Sequence, residues 1–293
     1  MVRAQYFAHI KAIPIHKVEI VDDALVERFL QAVHAHYGHD FRHYARTHVK
    51  RRLLAHMGQS GYSNIADMQH ALLLDRERMD ALVRDLSIPV TEMFRDPEFF
   101  QAVRERVLPL LRTWPHIRIW HAGCSTGEEV YSMAMILKEA GLYDRSLIYA
   151  TDMNQRSLDT AAAGIYPLEA VQNHVRNYQL SGATGSFSDH CLAHYGSAIM
   201  DRSLKKNIVW AQHNLATDSD FAEVHMVVCR NVLIYFDRQL QERVHGLFFR
   251  SLVKGGLICL GAKDSITYSG YADKYEHLDK KQRIYRKKYG AQE

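Results

Sequence analysis

Residues 117–131 constrain the fold more than any other part of this sequence. They begin as an alternating apolar run, continue into a tight loop that carries Gly123 and Gly127, and then show apolar residues at helical spacing. This pattern predicts a strand, a glycine turn and a helix. Such a turn lets backbone N–H groups approach a nucleotide-like ligand at the switch point of an open parallel sheet.

Two neighbouring features restrict the ligand of this loop. Glu128 and Glu129 follow the loop directly, and their negative charge would repel a pyrophosphate. The spacing of the glycines also lacks the third glycine of a dinucleotide fingerprint. A cationic or hydroxyl-rich ligand is therefore favoured over a dinucleotide.

A second strand is predicted at residues 146–151, and Asp152 stands at its end. An acid at this position binds ribose hydroxyls in folds that hold dinucleotides or adenosyl groups. The alternative is that Asp152 caps the helix predicted at Gln155–Ala163. S-adenosylmethionine suits these residues best, because it has an adenosine, an amino-acid tail and a sulfonium cation and carries no phosphate.

Composition limits the class of protein only broadly. With 293 residues, of which 47% are hydrophobic and 24% charged, the chain has the make-up of a globular protein with one large or two medium domains. Its net charge of +4 falls short of a nucleic-acid-binding signature. Residues 1–20 contain neither a secretory apolar core nor a membrane span, so a cytoplasmic location is expected.

No metal site and no disulfide are expected. The four cysteines are widely separated, and the sequence contains neither a Cys-x-x-Cys pair nor a His-Glu-x-x-His motif. The cysteines are Cys124, Cys191, Cys229 and Cys259.

The periodicity of the chain predicts two domains joined by a linker. Residues 1–86 form a helical N-terminal domain, residues 87–97 form a linker with prolines near both ends, and residues 98–293 form an α/β domain. Residues 165–212 do not alternate simply between strand and helix, which predicts a small antiparallel β-subdomain inserted there.

The helix predicted at residues 41–57 has a basic face. Arg42, Arg46 and Lys50 follow one another at four-residue steps, Arg51 lies beside them, and Asp40 is the only acid nearby in the sequence. One interpretation is a solvated surface, and the other is a docking surface for an acidic helix or a polyanion. The basic run at residues 280–288 is interpreted as a solvated sheet edge.

Two further segments are predicted to reach the ligand cleft. Val224–Cys229 is a buried parallel strand, and residues 230–237 follow at its carboxyl end, where open sheets bind their ligands. From the linker, Thr91 offers a hydroxyl and Arg95 a planar cation. The alternative for Arg95 is an ion pair with a nearby acid.

These motifs together resemble the CheR-type chemotaxis receptor methyltransferases, which transfer a methyl group from S-adenosylmethionine to receptor glutamates. The resemblance covers residue 41 to about residue 285. It rests on five motifs: Thr91-x-x-Phe94-Arg95, Ala122-Gly123-Cys124-Ser125-Thr126-Gly127-Glu128-Glu129-Val130-Tyr131-Ser132, Ala150-Thr151-Asp152, Gly164-Ile165-Tyr166 and Cys229-Arg230-Asn231-Val232-Leu233-Ile234-Tyr235-Phe236.

The resemblance implies an α/β architecture: a Rossmann-like S-adenosylmethionine-dependent methyltransferase domain with a small antiparallel β-subdomain, preceded by an all-helical N-terminal domain. It implies that Asp152 binds the ribose, that Asn214 and Leu215 bind the adenine, and that Arg95 and Glu129 lie at the methionyl end. The cofactor-binding residues implied in full are Thr91, Arg95, Gly123, Glu129, Asp152, Asn214, Leu215, Arg230 and Asn231.

The resemblance also implies a place for chemistry and a place for docking. Arg95 and Tyr235 would lie near the transferred methyl group. A docking face for the cytoplasmic helices of chemoreceptors would consist of Arg46, Lys50, Arg51 and Arg52.

One departure and two alternatives remain. Pro89 stands where better-known members of the family offer an asparagine to the cofactor, so one polar contact would be missing or replaced. A non-catalytic S-adenosylmethionine-binding adaptor would retain the glycine loop and Asp152. The other alternative is an RNA or DNA methyltransferase. Enzymes that methylate base nitrogens need a polar-Pro-Pro-aromatic motif near the fourth strand, and Arg230-Asn231-Val232-Leu233 stands in its place.

Overall fold

The computed structural model describes residues 21–86, 91–219 and 221–292. Within these ranges the chain divides into two compact units. One contains the residues up to Arg42 together with Arg46–Leu82, and the other contains His43–Ala45 together with the residues from Val83 onward. Residues 1–20, which bear the prediction on targeting, and Pro89 both lie outside the described residues.

The first unit is helical, as predicted for the N-terminal part of the chain. Its core is formed by apolar residues that recur at helical spacing, among them Phe29, Leu53 and Leu72. The helices are α1 (Asp23–Tyr37), α2 (Arg46–Ser60), α3 (Ile65–Leu74) and α4 (Arg76–Leu86), the last of which extends into the second unit.

The helix predicted from residue 41 begins five residues later, at Arg46. The preceding residues are held in a different conformation, because the Asp40 carboxylate accepts hydrogen bonds from the backbone and the side chain of Arg42. His43–Ala45 belongs to the other unit. Helical periodicity alone could not show that this segment leaves the helix.

The second unit is built on an open sheet that has seven strands in the described part of the chain. The strands are β1 (Ile117–Ala122), β2 (Ser146–Asp152), β6 (Ile208–Gln212), β7 (Val224–Cys229), β8 (Leu252–Leu260), β9 (Tyr275–Asp279) and β10 (Ile284–Lys287). Their order in the sheet is β6-β2-β1-β7-β8-β10-β9. The five strands from β6 to β8 run parallel, and β10 and β9 are antiparallel additions at one edge.

The order of the strands creates a switch point between β1 and β7. From β1 the chain proceeds outward to β2 and β6, whereas from β7 it proceeds the opposite way to β8. Ligands of open α/β sheets bind at the carboxyl ends of the strands at such a point. The predicted open parallel sheet is therefore confirmed, and its ligand-binding edge is defined.

Helices cover both faces of the sheet, so successive strand residues enter different cores. In β7, Met226 packs into one core and Val227 into the other. The helices are α5 (Pro97–Ala102), continued by a π-helical turn (Val103–Val107), α6 (Leu108–Leu111), α7 (Glu128–Glu139), α8 (Gln155–Ala163), α9 (Leu168–Leu180) and α10 (Arg238–Ser251).

A small antiparallel sheet is inserted after α8, as predicted, but its upper boundary is earlier than expected. Its strands are β3 (Ile165–Pro167), β4 (Cys191–His194) and β5 (Ser197–Met200), in the order β3-β5-β4. The expected subdomain extended to residue 212. That boundary is wrong, because Ile208–Gln212 pairs in parallel with β2 and so belongs to the central sheet.

The end of α7 is joined to this inserted region by the partly exposed carboxylate of Glu139. Glu139 accepts hydrogen bonds from Arg104 (2.6 Å) and Tyr178 (2.8 Å) and contacts the His190 ring nitrogen at 3.2 Å. Burial raises the pKa of Glu139, but the hydrogen bonds from His190, Tyr178 and Arg104 outweigh it and lower the pKa to about 2.

We expect the substitution Glu139→Gln to destabilise the protein by about 1–3 kcal/mol at neutral pH, because charge-assisted hydrogen bonds are lost. The pKa of Glu139 is 4.5 in the unfolded chain and about 2 in the folded protein, so its charged form stabilises the fold at pH values above 4.5. This contribution is lost as the pH falls toward about 2. The gap in unfolding free energy between variant and wild type should therefore narrow below about pH 4.5, as measured by urea denaturation.

The matched control is Glu105→Gln, which changes an exposed carboxylate bonded only to Gln101 among the described side chains. It should change stability by less than about 0.5 kcal/mol. A gap for Glu139→Gln that stays constant across this pH range would contradict the assignment.

Candidate cofactor and active site

One cavity lies at the carboxyl ends of β1 and β7, with a volume of about 1050 Å³ when its open mouth is included. Every residue predicted to bind the cofactor or to act near the methyl group lines it. These are Thr91, Arg95, Gly123, Glu129, Asp152, Asn214, Leu215, Arg230, Asn231 and Tyr235. Their individual roles remain predictions.

The cavity is also lined by residues that were not predicted as site residues, although four of them stand within the family motifs. Ser125, Met153 and Val232 are neighbours of predicted residues, so their position in the same loops was the available signal. Tyr44 gave no such signal, because it stands far from the other lining residues in the chain. The remaining unpredicted residues are Leu86, Cys124, Ser157, His213 and Phe236.

The glycine loop lines the cavity through residues 123–125, and both of its glycines are required by geometry. Gly123 has a φ of +78°, and a Cβ there would lie 2.6 Å from Cγ2 of Val232. Gly127 has a φ of +91°, and a Cβ there would lie 2.7 Å from Cβ of Ala161. The glycine turn predicted between β1 and α7 is therefore confirmed, because neither position has the backbone conformation or the space for a side chain.

Asp152 lies at the end of β2 and faces the glycine loop. Its carboxylate accepts hydrogen bonds from the backbone N–H groups of Ser125 and Asn154, each at 2.9 Å. The cap of α8 is Asn154, whose side chain accepts from the first backbone N–H groups of the helix. The alternative role of Asp152 as that cap is wrong.

The electrostatics of Asp152 suit a ligand with hydroxyl donors. Burial raises the pKa of Asp152, against the opposing effect of hydrogen bonds from the backbone of Asn154 and Ser125. Further donors to the carboxylate would stabilise its charged form. The two hydroxyls of a ribose are such donors.

Arg230 lines the cavity, and its guanidinium is hydrogen-bonded to other residues of the same wall. Its guanidinium donates to Glu129 (2.7 Å), to the backbone oxygen of Arg95 (3.2 Å) and to Asp96 (2.6 Å). It also lies over the ring of Phe99 at 4.1 Å, and only 2% of the side chain is exposed. The guanidinium therefore connects three segments of the wall.

Glu129 lies beside this guanidinium at the first turn of α7. One of its carboxylate oxygens bonds to Arg230, and the other lies 3.2 Å from Nδ1 of the buried His121. Burial raises the pKa of Glu129. The charge of Arg230 and the hydrogen bond from His121 lower it by more, so the pKa lies below its usual range. Glu129 is a carboxylate at neutral pH.

Backbone strain is concentrated around the cavity. Phe94, Asp96, Ser125 and Asn231 are non-glycine residues with φ values between 51° and 62°. Such conformations persist where the surroundings fix them, and they occur often at functional sites. The Ser125 hydroxyl is also buried without a hydrogen-bond partner among the described residues, so a polar ligand group would satisfy it.

Asp264 supports the loop that follows β7, and sequence reasoning missed it. Its carboxylate accepts from the backbone N–H groups of Asn231 (2.6 Å), Gly261 (3.0 Å) and Ile234 (3.1 Å). Burial raises its pKa to about 6 in spite of these bonds. The turn that contains Asn231 is thus fixed by a buried acid from the loop after β8. No sequence motif indicated this role of Asp264.

The predicted docking residues lie on α2 in the helical unit. Arg46 forms an ion pair with Glu27, and Lys50 lies 3.8 Å from Asp23, so α1 supplies acids that the sequence neighbourhood of α2 did not show. Arg51 is exposed, and Arg52 is partly buried. The basic face is therefore narrower than the one expected.

No described helix combines the length and the apolar character of a membrane span. No group of three or more His, Cys, Asp or Glu side chains in the described ranges could hold a metal ion. None of the four cysteines forms a disulfide.

The strand order, the glycine loop and the acid after β2 define a protein of the S-adenosylmethionine-dependent methyltransferase class. Residues 89–284 match the sequence family described as "CheR methyltransferase, SAM binding domain". Residues 24–87 match the one described as "CheR methyltransferase, all-alpha domain". The chain belongs to the CheR methyltransferase family, and its cofactor is S-adenosylmethionine.

Curated relatives agree with this assignment. The chain is 48% identical over 265 residues to "Putative methyltransferase Cher3" of Pseudomonas putida KT2440, covering 90% of this chain and 97% of that protein. It is 31% identical to "Chemotaxis protein methyltransferase 1" of Vibrio cholerae, covering 78% and 83%. It is 32% identical to "Chemotaxis protein methyltransferase 2" of Pseudomonas aeruginosa PAO1, covering 68% and 71%.

The solved structures that resemble the chain are more remote. One is an S-adenosylmethionine-dependent methyltransferase from Geobacter sulfurreducens in complex with S-adenosyl-L-homocysteine. It is 14% identical, has a TM-score of 0.33, and the match covers 59% of this chain and 49% of that one. This likeness is too distant to bear on the function.

We expect Asp152→Asn to weaken S-adenosylhomocysteine binding by about tenfold to a hundredfold, because hydrogen bonds from ribose hydroxyls to a charged acceptor are each worth about 1.5–3 kcal/mol. The variant should also be less stable at neutral pH by about 1–3 kcal/mol, because its amide nitrogen cannot accept the backbone N–H that one carboxylate oxygen of Asp152 accepts. Isothermal titration calorimetry and thermal unfolding measure the two quantities.

The matched control is Asp159→Asn, at an exposed position on α8. It should bind the ligand as the wild type does. Equal affinity of the Asp152 variant and the wild type would remove Asp152 from the ribose site.

Proposed function

We propose that this protein transfers a methyl group from S-adenosylmethionine to glutamate side chains in the cytoplasmic helical domains of chemoreceptors. The products are glutamate methyl esters and S-adenosylhomocysteine. The chain belongs to a methyltransferase family, and its cavity is lined by both a cation, Arg95, and a phenol, Tyr235. This combination is the observation that carries the proposal. The names of the Vibrio and Pseudomonas aeruginosa relatives support the connection with chemotaxis.

The chemistry of a carboxylate acceptor suits this wall. A glutamate side chain is an anion at neutral pH, since its pKa is about 4.3. When bound, S-adenosylmethionine supplies an electrophilic methyl group on a sulfonium. A glutamate oxygen forms the new O–CH₃ bond as the C–S bond breaks, so the negative and positive charges cancel and no proton has to move.

The protein's task is therefore positioning rather than acid–base catalysis. An incoming carboxylate would be oriented by the planar guanidinium of Arg95, which can hold both of its oxygens. The phenol of Tyr235 would donate a hydrogen bond or shape the channel to the methyl group. Alignment of the reacting atoms and removal of water supply the remaining acceleration.

The main chain around both residues is fixed by contacts within the same unit. The backbone oxygen of Arg95 accepts from Arg230 at 3.2 Å. The backbone oxygen of Tyr235 accepts from the N–H of Ala45 at 2.8 Å. Rigid placement of both segments supports a positioning mechanism.

The test is incubation of the full-length protein with S-[methyl-³H]adenosylmethionine and purified cytoplasmic domains of chemoreceptors. Base-labile label that is released as methanol is the expected result, since methyl esters hydrolyse in alkali. Receptor domains whose acceptor glutamates are replaced by alanine should remain unlabelled. Cofactor binding without transfer to any receptor would instead support an adaptor, and label that is stable to base on RNA or DNA would support a nucleic-acid methyltransferase.

We expect Arg95→Ala to lower kcat/KM for the receptor about a hundredfold, because the orientation of the carboxylate is lost. Arg95→Lys should recover only part of the rate, since an ammonium cannot hold two oxygens in a fixed plane. Initial rates of tritium transfer measure both.

Arg202→Ala, at an exposed arginine in a short turn before β6, is the control and should retain the wild-type rate. Unchanged turnover in Arg95→Ala, with normal folding by circular dichroism, would remove Arg95 from the mechanism.

A second prediction concerns the docking face on α2. Reversing the charges of Arg51 and Arg52 with glutamate should raise the KM for the receptor about tenfold or more and make it less sensitive to salt, because acidic receptor helices would be repelled. The affinity for S-adenosylhomocysteine should not change. Arg46 and Lys50 are unsuitable for this test, because their ion pairs with α1 confound docking with stability.

The double reversal of Lys280 and Lys281 to glutamate is the matched control, since both residues are exposed and lie in the run interpreted as a solvated edge. It should leave the KM within twofold of wild type. A comparable loss in both double variants would mean that overall charge, and not α2, attracts the receptor.

A further inference from the structure

The residues between α1 and α2 take part in the methyltransferase unit. His43–Ala45 belongs to the same unit as the residues from Val83 onward, although α1 and α2 on either side of it belong to the helical unit. Tyr44 forms an antiparallel β-bridge with Phe236, in the loop before α10. Two backbone hydrogen bonds of 2.8 Å flank the bridge, from Ala45 to Tyr235 and from Asp237 to His43.

Side chains fix the same junction. Nδ1 of His43 lies 3.0 Å from one carboxylate oxygen of Asp237. The other carboxylate oxygen of Asp237 accepts from the backbone of Leu240 and caps α10. The segment is thus held at the backbone and at the side chains, and Tyr44 in its centre has a defined place.

That place is on the wall of the cofactor cavity. The ring of Tyr44 meets the ring of Phe236 edge-on, with centroids 5.1 Å apart. Its hydroxyl donates to the sulfur of Met153 at 3.4 Å. All three side chains line the cavity, and Met153 immediately follows Asp152, the acid that faces the glycine loop.

We propose that Tyr44 is a cofactor-binding residue that packs against the adenosyl half of S-adenosylmethionine. The ring lies between Met153, at the ribose side, and Phe236, so the surface that it presents to the cavity is apolar and aromatic. Aromatic rings of this kind bind flat apolar ligand groups over a large area. The weak O–H···S bond orients the ring, whereas packing supplies the affinity.

The test compares two ligands in binding measurements that need no receptor. S-adenosylhomocysteine contains the adenosyl group and the amino-acid tail, and 5′-methylthioadenosine contains only the adenosyl group. Tyr44→Leu should raise the dissociation constants of both ligands by a similar factor of about ten, which is about 1.4 kcal/mol. Tyr44→Phe keeps the ring and should bind both ligands within about threefold of wild type.

The matched control is Tyr195→Leu, which changes a tyrosine of the inserted sheet that is 95% exposed. It should leave both dissociation constants unchanged. Unchanged binding in Tyr44→Leu, weaker binding of S-adenosylhomocysteine alone, or an equal loss in Tyr195→Leu would overturn the proposal. Each of these results is independent of the proposed receptor substrate, because only ligand binding is measured.

A second measurement uses the wild-type protein, in case Tyr44→Leu fails to fold. Hydrogen–deuterium exchange reports the opening of backbone hydrogen bonds. The amides of Ala45 and Asp237 form the bridge, so their exchange should slow when 5′-methylthioadenosine binds. Exchange at these amides that is unaffected by saturating ligand would also overturn the proposal.

Discussion

The buried guanidinium of Arg230 is the interaction on which the rest of the site depends. Taking a cation out of water costs several kcal/mol, and the cost is offset only if its donors are well matched. Here Glu129, Asp96 and the backbone oxygen of Arg95 accept from it, and the ring of Phe99 lies against its face. Loss of the guanidinium would leave Glu129 buried without its cation. One side chain at the end of β7 thus joins the start of α7 to the segment that carries Arg95.

The two buried acids of this edge show how partners decide the charge of a group. Glu129 and Asp264 are both removed from solvent, which raises a carboxyl pKa. Glu129 has a full cation beside it, and its pKa falls below the usual range. Asp264 is bonded to backbone N–H dipoles, which do not outweigh burial, and its pKa rises to about 6. The first acid is a fixed negative charge, and the second is a support for the loop that holds Asn231.

Sequence reasoning succeeded where a feature is local. The glycine loop, the acid after β2 and the strand Val224–Cys229 all follow from spacing within a few residues. It failed where pairing joins distant segments. Two examples are the parallel pairing of Ile208–Gln212 with β2 and the ion pair of Arg46 with Glu27. Both depend on how distant segments fold together, which the periodicity of the sequence does not show. The bridge of Tyr44 with Phe236 was invisible for the same reason.

The two acids that follow the glycine loop have different surroundings and different charges. Glu128 does not line the cavity. It is buried, and its carboxylate accepts from Thr126 at 2.7 Å. Burial raises its pKa, so its charge is disfavoured. Glu129 is charged but shares its charge with Arg230, and so the acid that faces the loop without a cation bonded to it in the described residues is Asp152. Discrimination against phosphate therefore cannot be assigned to Glu128. The predicted ribose contact would favour the charged form of Asp152, because the hydroxyls would supply further donors to its buried carboxylate.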